Sequence, residues 1–554
     1  MYDFIKQISK FVNTGQTRSL VLSGNIDDVY WDGLGYTSLI QCLSNEYKIA
    51  KSASTRGIVQ VLYEVNKSIK IVGDTEGQKW IKLAWQAINP KDDLEDLLKK
   101  TYANPTLALE VLRQLTLAAR KRRERYDLMI IIERCEFLIP QAETANMKDS
   151  DRKRVLIMHD WLSDLEFLYS TDTVILIAES LGQIHSLVSK LPQVLEVQIP
   201  YPDYAERFNF LKVLSIKDPD SLATQTAGLS LHALRQITCE DKINKQIINQ
   251  KVESYICSQL GEGVVEFKRP SHTLDDVIGF KRIKNFIKDE MIPRFKMSAD
   301  SALVGAAIAG PIGGGKTFIM EAMASELDMP VLVLKNLRSQ WYGQTDVIFD
   351  RLKRTLTALD KVMIFVDEAD TQFGGVDGSS HETERRLTGK IQAMMSDVTL
   401  KGKVFWLLMT ARIERLSPDI RRPGRAGDLI IPILDPEAGD RLDFIYWVIT
   451  SSLGKDLPVT DQQVKQIEEH TRNYSAASFA ALRSLAKAKQ CKSVHDIIYL
   501  AKEIIPSDIE QTRRIQTLQA LLNCTRKSLL PLPSGEEYQH MRSVWQNELK
   551  GLVD

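Results

Sequence analysis

One glycine-rich segment ends in a lysine and a threonine, and its spacing is typical of a loop that binds phosphate. It reads Gly310-Pro-Ile-Gly-Gly-Gly-Lys316-Thr317, follows the apolar run 304–309 and opens a helical pattern. Glycines let backbone N–H groups converge on phosphate oxygens, and the helix N-terminus adds its dipole. The alternative is a glycine-rich turn with an exposed lysine. The context favours a nucleotide-binding site, with expected contacts from Gly310, Gly313, Gly314, Gly315, Lys316 and Thr317.

Different residue types in that site are expected to have different roles. Lys316 is expected to reach the β- and γ-phosphates, and Thr317 to offer its hydroxyl to Mg²⁺. Asp367 and Glu368 follow the apolar run 362–366. We expect Asp367 to hold Mg²⁺ with Thr317, and Glu368 to polarise the attacking water. Two acids after a strand are common by chance, so this assignment depends on the phosphate loop.

The elements that must position these residues are buried parallel strands and the helices between them. Strand-length apolar runs are continuous rather than alternating, as in strands covered on both faces. Helical patterns such as 317–327 and 346–359 lie between them. Strands alternating with helices predict an α/β fold with parallel sheets. The expected strands are 20–23, 57–63, 128–132, 173–178, 331–334, 362–366 and 404–409.

The plan of strands followed by helices occurs twice. Residues 128–136 resemble 362–370, and the same offset of 234 residues relates Pro202 to Pro436. Matches in the same order at a nearly constant offset indicate a duplicated domain. We therefore predict two P-loop-type parallel αβα sandwiches, each followed by a small helical lid. The predicted parts are a degenerate domain with its lid (1–262), a linker (263–275), an ATPase domain (276–436), a second lid (437–510) and a helical tail (511–554).

From about Thr273 to Arg483 the sequence resembles the AAA clade of AAA+ ATPases. The resemblance rests on five ordered segments: 273–279, the Walker A loop 310–317, the Walker B segment 365–370, the arginine-finger segment 417–425 and the start of a lid helix, 474–483. It implies an ATPase that uses Mg²⁺. It further implies an adenine pocket and lid that include Asp276, Ile278, Gly279 and Ala476.

Two arginines are expected to act across a subunit interface. The resemblance places arginine fingers at Arg422 and Arg425, around a Pro423-Gly424 pair that favours a tight turn. Guanidinium groups suit the charge that develops during phosphoryl transfer. The alternative is a solvated arginine-rich turn. A finger acting in trans requires a ring or spiral of copies, and the resemblance implies a homo-hexamer.

The family pattern is broken at the polar sensor position, which falls on Ala411. Alanine cannot hydrogen-bond a phosphate or a water molecule. The neighbouring Thr410 is the candidate substitute in the nucleotide site, and slow hydrolysis is the alternative. The departure bears on the rate of turnover rather than on binding.

A loop with two aromatic residues is the candidate substrate contact. Trp341, Tyr342 and Gly343 follow a predicted strand, at the place where the family has a loop that faces a central channel and grips polypeptide. Flat aromatic rings contact varied side chains without sequence preference. The alternative is that both rings belong to the core.

The first unit lacks the chemistry of the second. After the strand 20–23 the chain reads Gly24-Asn-Ile-Asp-Asp28, with no lysine, and Glu133-Arg134 replaces the acid pair. We therefore predict that this unit neither binds nor hydrolyses ATP. The basic run 120–123 is interpreted as a cationic helix end rather than a nucleic-acid patch.

Composition excludes several classes of protein. The 554 residues carry 72 basic and 72 acidic side chains, so no overall charge favours nucleic acid or acidic lipid. No apolar run predicts a membrane span, and the first residues do not resemble a secretory signal. Six scattered cysteines with no C-x-x-C pair argue against a structural zinc site and a disulfide framework. These features predict a soluble protein of the reducing cytoplasm.

Three functions remain open. The first is an ATP-driven motor that remodels or threads a protein substrate, with an unidentified substrate or adaptor. The second is a nucleotide-gated regulatory or assembly factor with slow turnover, favoured by Ala411 and the degenerate first unit. The third, a motor that depends on nucleic acid, is disfavoured by the zero net charge.

Overall fold

A computed structural model describes most of the chain. It covers residues 2–50, 56–122, 126–143, 146–239, 245–260, 265–296, 302–335, 345–359, 361–373, 382–422, 424–454, 459–504, 509–532 and 537–553. Two compact units are present, Met1–Ile248 with Asp346–Ala358, and Asn249–Thr345 with Leu359–Asp554.

The first unit contains a six-stranded sheet in the order β5-β4-β6-β7-β1-β8 and a separate β2-β3 hairpin. All strand pairs of the large sheet are parallel except β4 with the edge strand β5. The strands are β1 (Ser19–Gly24), β2 (Val29–Trp31), β3 (Tyr36–Ser38), β4 (Gly57–Glu64), β5 (Lys70–Val72), β6 (Tyr126–Glu133), β7 (Thr173–Ala178) and β8 (Val194–Ile199).

Helices cover both faces of this sheet. Along β6, Ile130 and Ile132 belong to one buried apolar cluster, whereas Met129 and Ile131 belong to another. Continuous apolar runs are therefore explained by burial on both faces. Up to residue 260 the helices of the chain are α1 (Asp3–Asn13), α2 (Leu39–Ala50), α3 (Thr75–Ile88), α4 (Leu94–Lys100), α5 (Pro105–Lys121), α6 (Asp149–Ser163), α7 (Leu165–Leu168), α8 (Ser186–Ser189), α9 (Tyr204–Val213), α10 (Pro219–Gln225), α11 (Leu231–Thr238) and α12 (Lys245–Leu260), of which α12 continues into the second unit.

The second unit has a sheet in the order β14-β10-β13-β12-β11-β9. Its strands are parallel except for β9, which pairs antiparallel with β11. The strands are β9 (Val265–Lys268), β10 (Gly305–Ala309), β11 (Val331–Leu334), β12 (Val362–Val366), β13 (Val404–Thr410) and β14 (Ile430–Pro432). Strand β9 lies within the segment 263–275 that was predicted as a linker. Val265 and Phe267 are buried at alternate positions, so this part of the segment belongs to the sheet.

The helices from residue 281 onwards complete the structure. They are α13 (Lys281–Phe286), which continues through a π-helical turn (Ile287–Met291) into α14 (Ile292–Lys296), then α15 (Lys316–Glu326), α16 (Thr345–Ala358), α17 (Ala369–Gln372), α18 (Glu382–Met395), α19 (Pro418–Arg421), α20 (Ala438–Leu453), α21 (Asp461–His470), α22 (Ala476–Ala488), α23 (Val494–Glu503), α24 (Glu510–Asn523) and α25 (Tyr538–Val553). Among the described helices, none has the length and apolar character needed to cross a membrane.

Both sheets have the same order of parallel strands. The series β8-β1-β7-β6-β4 of the first unit corresponds to β14-β10-β13-β12-β11 of the second. Equivalent arginines also make equivalent bonds, since Arg207 donates to the carbonyl of Pro202 and Arg441 donates to that of Pro436. The predicted α/β fold with two mostly parallel sheets is therefore confirmed, and the shared strand order supports the duplication.

Candidate functional site

A cavity of about 1040 Å³ lies in the second unit at the carboxyl ends of β10, β12 and β13. Ligands of open parallel sheets bind at this edge, where loops leave the strands. The sequence-predicted residues that line the cavity are Asp276, Ile278, Gly313, Gly314, Gly315, Lys316, Thr317, Asp367, Glu368, Thr410 and Ala476. Gly279 instead approaches Asp440 and Phe444 of α20, where a Cβ atom would lie 3.2 Å from the Asp440 side chain.

The phosphate loop joins β10 to α15 in a conformation that depends on glycine. A Cβ atom at Gly310 would lie 1.9 Å from the carbonyl oxygen of Ile433, so no other residue fits there. Gly313 and Gly315 have φ values of +78° and +87°, in the left-handed region that glycine adopts without strain. Gly315 is the N-cap of α15, and the first amides of that helix have no partner within it. This backbone fits an anionic phosphate chain.

Lys316 is folded over the loop that carries it. Its Nζ donates to the carbonyl oxygens of Gly310 at 3.0 Å and Pro311 at 2.9 Å. Burial lowers the pKa of Lys316, and the nearby carboxylates of Asp367 and Asp435 oppose that shift. A partly desolvated ammonium group is a strong partner for phosphate oxygens, because little water screens the interaction.

The two acids after β12 differ in how they are held. Asp367 Oδ1 accepts a hydrogen bond from the backbone N–H of Glu368 at 2.9 Å. Glu368 has φ +47°, an uncommon conformation for a residue with a side chain, and its carboxylate is exposed. Strained backbone of this kind is found at active sites, where it directs a side chain. Asp367, Glu368 and Thr317 line the same cavity, and their oxygen atoms are ligands of the kind that suit Mg²⁺.

Thr410, the candidate substitute for the sensor residue, is engaged in hydrogen bonds with Asp370 and Arg412. Its side chain is 1% exposed, and Oγ1 donates to Asp370 Oδ1 at 2.7 Å while accepting from the N–H of Arg412 at 2.9 Å. Arg412 Nε donates to the other oxygen of Asp370 at 2.7 Å. The only hydrogen of the Thr410 hydroxyl is therefore engaged by Asp370. Ala411 lines the cavity beside it and offers no polar group.

The two candidate arginine fingers are placed outside the lining of this cavity. Arg422 is 58% exposed and lies 3.9 Å from Asp419. Arg425 donates to Ser396 Oγ at 3.3 Å and to the carbonyl of Asp419 at 3.0 Å. Gly424 has φ +85°, as a tight turn requires, and Pro423 lies outside the described residues. Neither guanidinium group is directed at the site of its own chain.

The sequence did not indicate that the tail reaches the site. Thr512 and Gln516 of α24 line the cavity, and Gln516 Oε1 accepts a hydrogen bond from the backbone N–H of Ile312 at 3.1 Å. On the same helix, Arg513 pairs with Asp435 at 2.5 Å. Burial raises the pKa of Asp435 to about 6, and Arg513 opposes the shift. A contact between residues so far apart in sequence has no local signal.

The loop 341–343 that carries Trp341, Tyr342 and Gly343 lies outside the described residues. Its contact with substrate stays a prediction.

In the first unit the corresponding loop is held by its own carboxylates. Gly24, like Gly310, leaves no room for a Cβ atom, which would lie 2.3 Å from the carbonyl oxygen of Ile199. Asp28 is 5% exposed and accepts hydrogen bonds from the N–H groups of Leu231 and His232, both at 2.9 Å, at the start of α11. A carboxylate thus occupies the positive end of a lid helix.

The acid pair of the second unit has no counterpart in the first. Arg134 has φ +52°, close to the +47° of Glu368, and its guanidinium pairs with Asp27 at 2.5 Å. Guanidinium stays protonated and cannot act as a base. This geometry supports the prediction that the first unit does not hydrolyse ATP.

Comparison with known families gives two matches along the chain. Residues 2–200 match the model described as AAA+ chaperone, N-terminal Rossmann-like domain. Residues 306–431 match the model for the ATPase family associated with various cellular activities, AAA, and include the phosphate loop and both acids. The chain contains an AAA ATPase domain. The resemblance read from the sequence is thereby confirmed, in an arrangement consistent with tandem AAA units.

Curated relatives are similar to parts of this chain. Protein SAV of Sulfolobus acidocaldarius is 26% identical over 45% of this chain and 31% of its own length. The cell division cycle protein 48 homolog of Archaeoglobus fulgidus is 26% identical over 50% of this chain and 38% of its own. The human ATPase family gene 2 protein homolog A is 30% identical over 34% of this chain and 21% of its own. The chain thus spans well under half the length of these relatives.

Proposed function

We propose that the AAA domain binds ATP with Mg²⁺ and hydrolyses it to ADP and phosphate. The observation that carries the proposal is the meeting of the glycine loop, Lys316, Asp367 and Glu368 in one cavity. The loop amides and Lys316 bind the phosphates, and Asp367 and Thr317 hold the metal, which neutralises the phosphate charge when bound. Glu368 orients the attacking water. Asp276, Ile278 and Ala476 enclose the base and ribose.

We further propose that copies of the chain assemble into a ring, a hexamer by analogy with the family, that remodels or threads a protein substrate. The exposure of Arg422, away from its own cavity, supports action on a neighbouring copy. The match of the first unit to a domain described as belonging to an AAA+ chaperone supports a protein substrate. Trp341 and Tyr342 are the proposed substrate contacts, and a reducing cytoplasm is the proposed compartment.

A trapping experiment tests this assignment. The Glu368→Gln variant removes the water-orienting carboxylate and leaves every proposed phosphate contact intact, so it should hold ATP, assemble and retain its substrate. Proteins that co-purify with this variant, and not with Lys316→Ala, identify the substrate. If Glu368→Gln hydrolysed ATP as fast as the parent protein, the assignment of Glu368 as the water-orienting residue would be wrong.

A second candidate is a nucleotide-gated assembly factor in which binding matters more than turnover. The engaged hydroxyl of Thr410 beside Ala411 favours slow hydrolysis. The two candidates differ in their response to unfolded protein, which should stimulate the ATPase of a threading motor in proportion to polypeptide length and leave the rate of an assembly factor unchanged.

A motor that depends on nucleic acid is less compatible with the described residues. Arg120, the first residue of the basic run, is 5% exposed and pairs with Asp164 at 2.8 Å, so it is not available to phosphate groups of nucleic acid. If the protein were retained on immobilised nucleic acid and this binding weakened steeply with salt, a nucleic-acid-dependent function would be supported.

A further inference from the structure

Helix α24 is anchored to the AAA domain by several independent contacts. Its Leu518 and Leu521 pack with Leu530 and with Trp545 of α25 in a small buried cluster. Just beyond α24, Thr525 exchanges two hydrogen bonds with Ile430, the first residue of β14, at 2.9 and 3.3 Å. The helix is therefore fixed relative to the edge of the sheet from which the phosphate loop arises.

The same helix reaches the phosphate loop itself. The N–H of Ile312 donates to Gln516 Oε1 at 3.1 Å, and Gln516 is 4% exposed. Ile312 lies between Gly310 and Gly313, in a stretch where glycine gives the backbone unusual freedom. A fixed acceptor outside the loop restricts that freedom, and a preorganised loop loses less entropy when a ligand binds.

A second contact of α24 controls charge beside the loop. Asp435 follows β14, which pairs with β10, the strand that leads into the phosphate loop. Its carboxylate opposes the lowering of the Lys316 pKa by burial. Arg513 pairs with Asp435 at 2.5 Å and also donates to the carbonyl of Asn473 at 3.1 Å. An unpaired carboxylate here would compete with phosphate for Lys316, and its negative charge would repel the phosphate. Arg513 compensates this charge.

We infer that α24 forms part of the nucleotide site, with Gln516 as the residue that positions the phosphate loop. This inference rests on the proposed function, because it assigns the loop to phosphate binding. Gln516 holds the backbone of the loop at Ile312, so we expect it to contribute to nucleotide affinity rather than to the chemical step.

The matched pair Gln516→Met and Gln511→Met tests the role of Gln516 in the full-length chain. Methionine preserves the length of the side chain and removes the acceptor for Ile312. Gln511 is the same residue type on the same helix, but its side chain donates to the carbonyl of Leu552 in α25. For Gln516→Met we expect the Kd for Mg·ATP and the KM to rise about tenfold, with kcat within about twofold of the parent. Gln511→Met should match the parent in both.

Each other outcome has a defined meaning. A Kd in Gln516→Met equal to that of the parent would overturn the inference, as would a fall in kcat at unchanged KM. If the parent itself binds no Mg·ATP, the proposed function fails and the inference with it.

If Gln516→Met does not fold, Gln516→Glu replaces it as the test. Glutamate keeps an acceptor for the Ile312 N–H and adds negative charge beside the loop, so the Kd should rise more for ATP than for ADP. Equal affinities for the parent and this variant would contradict the role of Gln516 beside the phosphate loop.

Discussion

Thr410 and Asp370 form a buried hydrogen bond of 2.7 Å in which the threonine hydroxyl is the donor. The second oxygen of the same carboxylate accepts from Arg412 at 2.7 Å. Thr410 therefore cannot offer a hydrogen to a phosphate or to an attacking water without giving up a buried bond. Residues 410 and 411, where the polar sensor of the family is expected, therefore present no free side-chain hydrogen to the cavity.

Ala411→Asn should raise kcat, on the order of tenfold, and leave KM nearly unchanged, because the new amide stabilises charge that develops in the transition state. Steady-state ATPase measurements give both constants. Ala411→Leu is the control, since it has a similar size and no polar group. Equal rates for Ala411→Asn and the parent would show that another group already fills this role.

Lys316→Ala and Glu368→Gln should separate binding from turnover. The lysine is the proposed cationic partner of the phosphates, so its loss should abolish saturable ATP binding. The glutamine variant should bind ATP like the parent and hydrolyse it about a hundredfold more slowly or worse, since general-base catalysis of this kind contributes on the order of 10²–10⁴-fold. Equilibrium binding and single-turnover assays distinguish the two. Weak ATP binding by Glu368→Gln would contradict the assigned role.

Arg422→Ala and Arg425→Ala should act on neighbouring copies. If the guanidinium groups complete the adjacent site, each variant should bind ATP normally and hydrolyse it at least about a hundredfold more slowly. Mixing variant and parent subunits should then lower activity more than in proportion to the variant fraction. A strictly proportional loss would indicate that the arginines act only within their own chain. Mass measurements with and without ATP test whether nucleotide favours assembly.

Asp28→Ala should destabilise the first unit without creating or removing a nucleotide site. The change leaves two N–H groups at the start of α11 without their acceptor, at a cost of about 1–3 kcal/mol in the free energy of unfolding. Denaturant unfolding measures this cost, and Asp27→Ala is the control because its carboxylate is largely exposed. ATP binding is measured in the Lys316→Ala background, where saturable binding would reveal a site in the first unit.

The sequence predicted the central strands well because their signal is local. The runs 173–178 and 362–366 were predicted with the bounds that the structure has, since strands buried on both faces are continuously apolar. The edge strands Val265–Lys268 and Lys70–Val72 were not predicted. They are short and antiparallel, with partly exposed positions, so they lack that pattern.

For the candidate site the same distinction holds. The phosphate loop and the acid pair are short motifs, so the types of neighbouring residues are enough to predict them. The sequence offered Thr410 as a donor, but only its position next to Asp370 shows that its hydrogen is already engaged. The contribution of Gln516 depends on how the tail packs, and no local pattern encodes that.

The hydrogen bond between Ile312 and Gln516 joins residues that are 204 positions apart in the chain. Contacts across such a separation are slow to form, because a long segment must be ordered before they stabilise the fold. We therefore expect the phosphate loop to acquire its final geometry late in folding, after the edge of the sheet and helices α24 and α25 have met. ATP would then act as a selective stabiliser of fully folded chains, and a chain cut before residue 510 would present the Walker motifs without the support that shapes them.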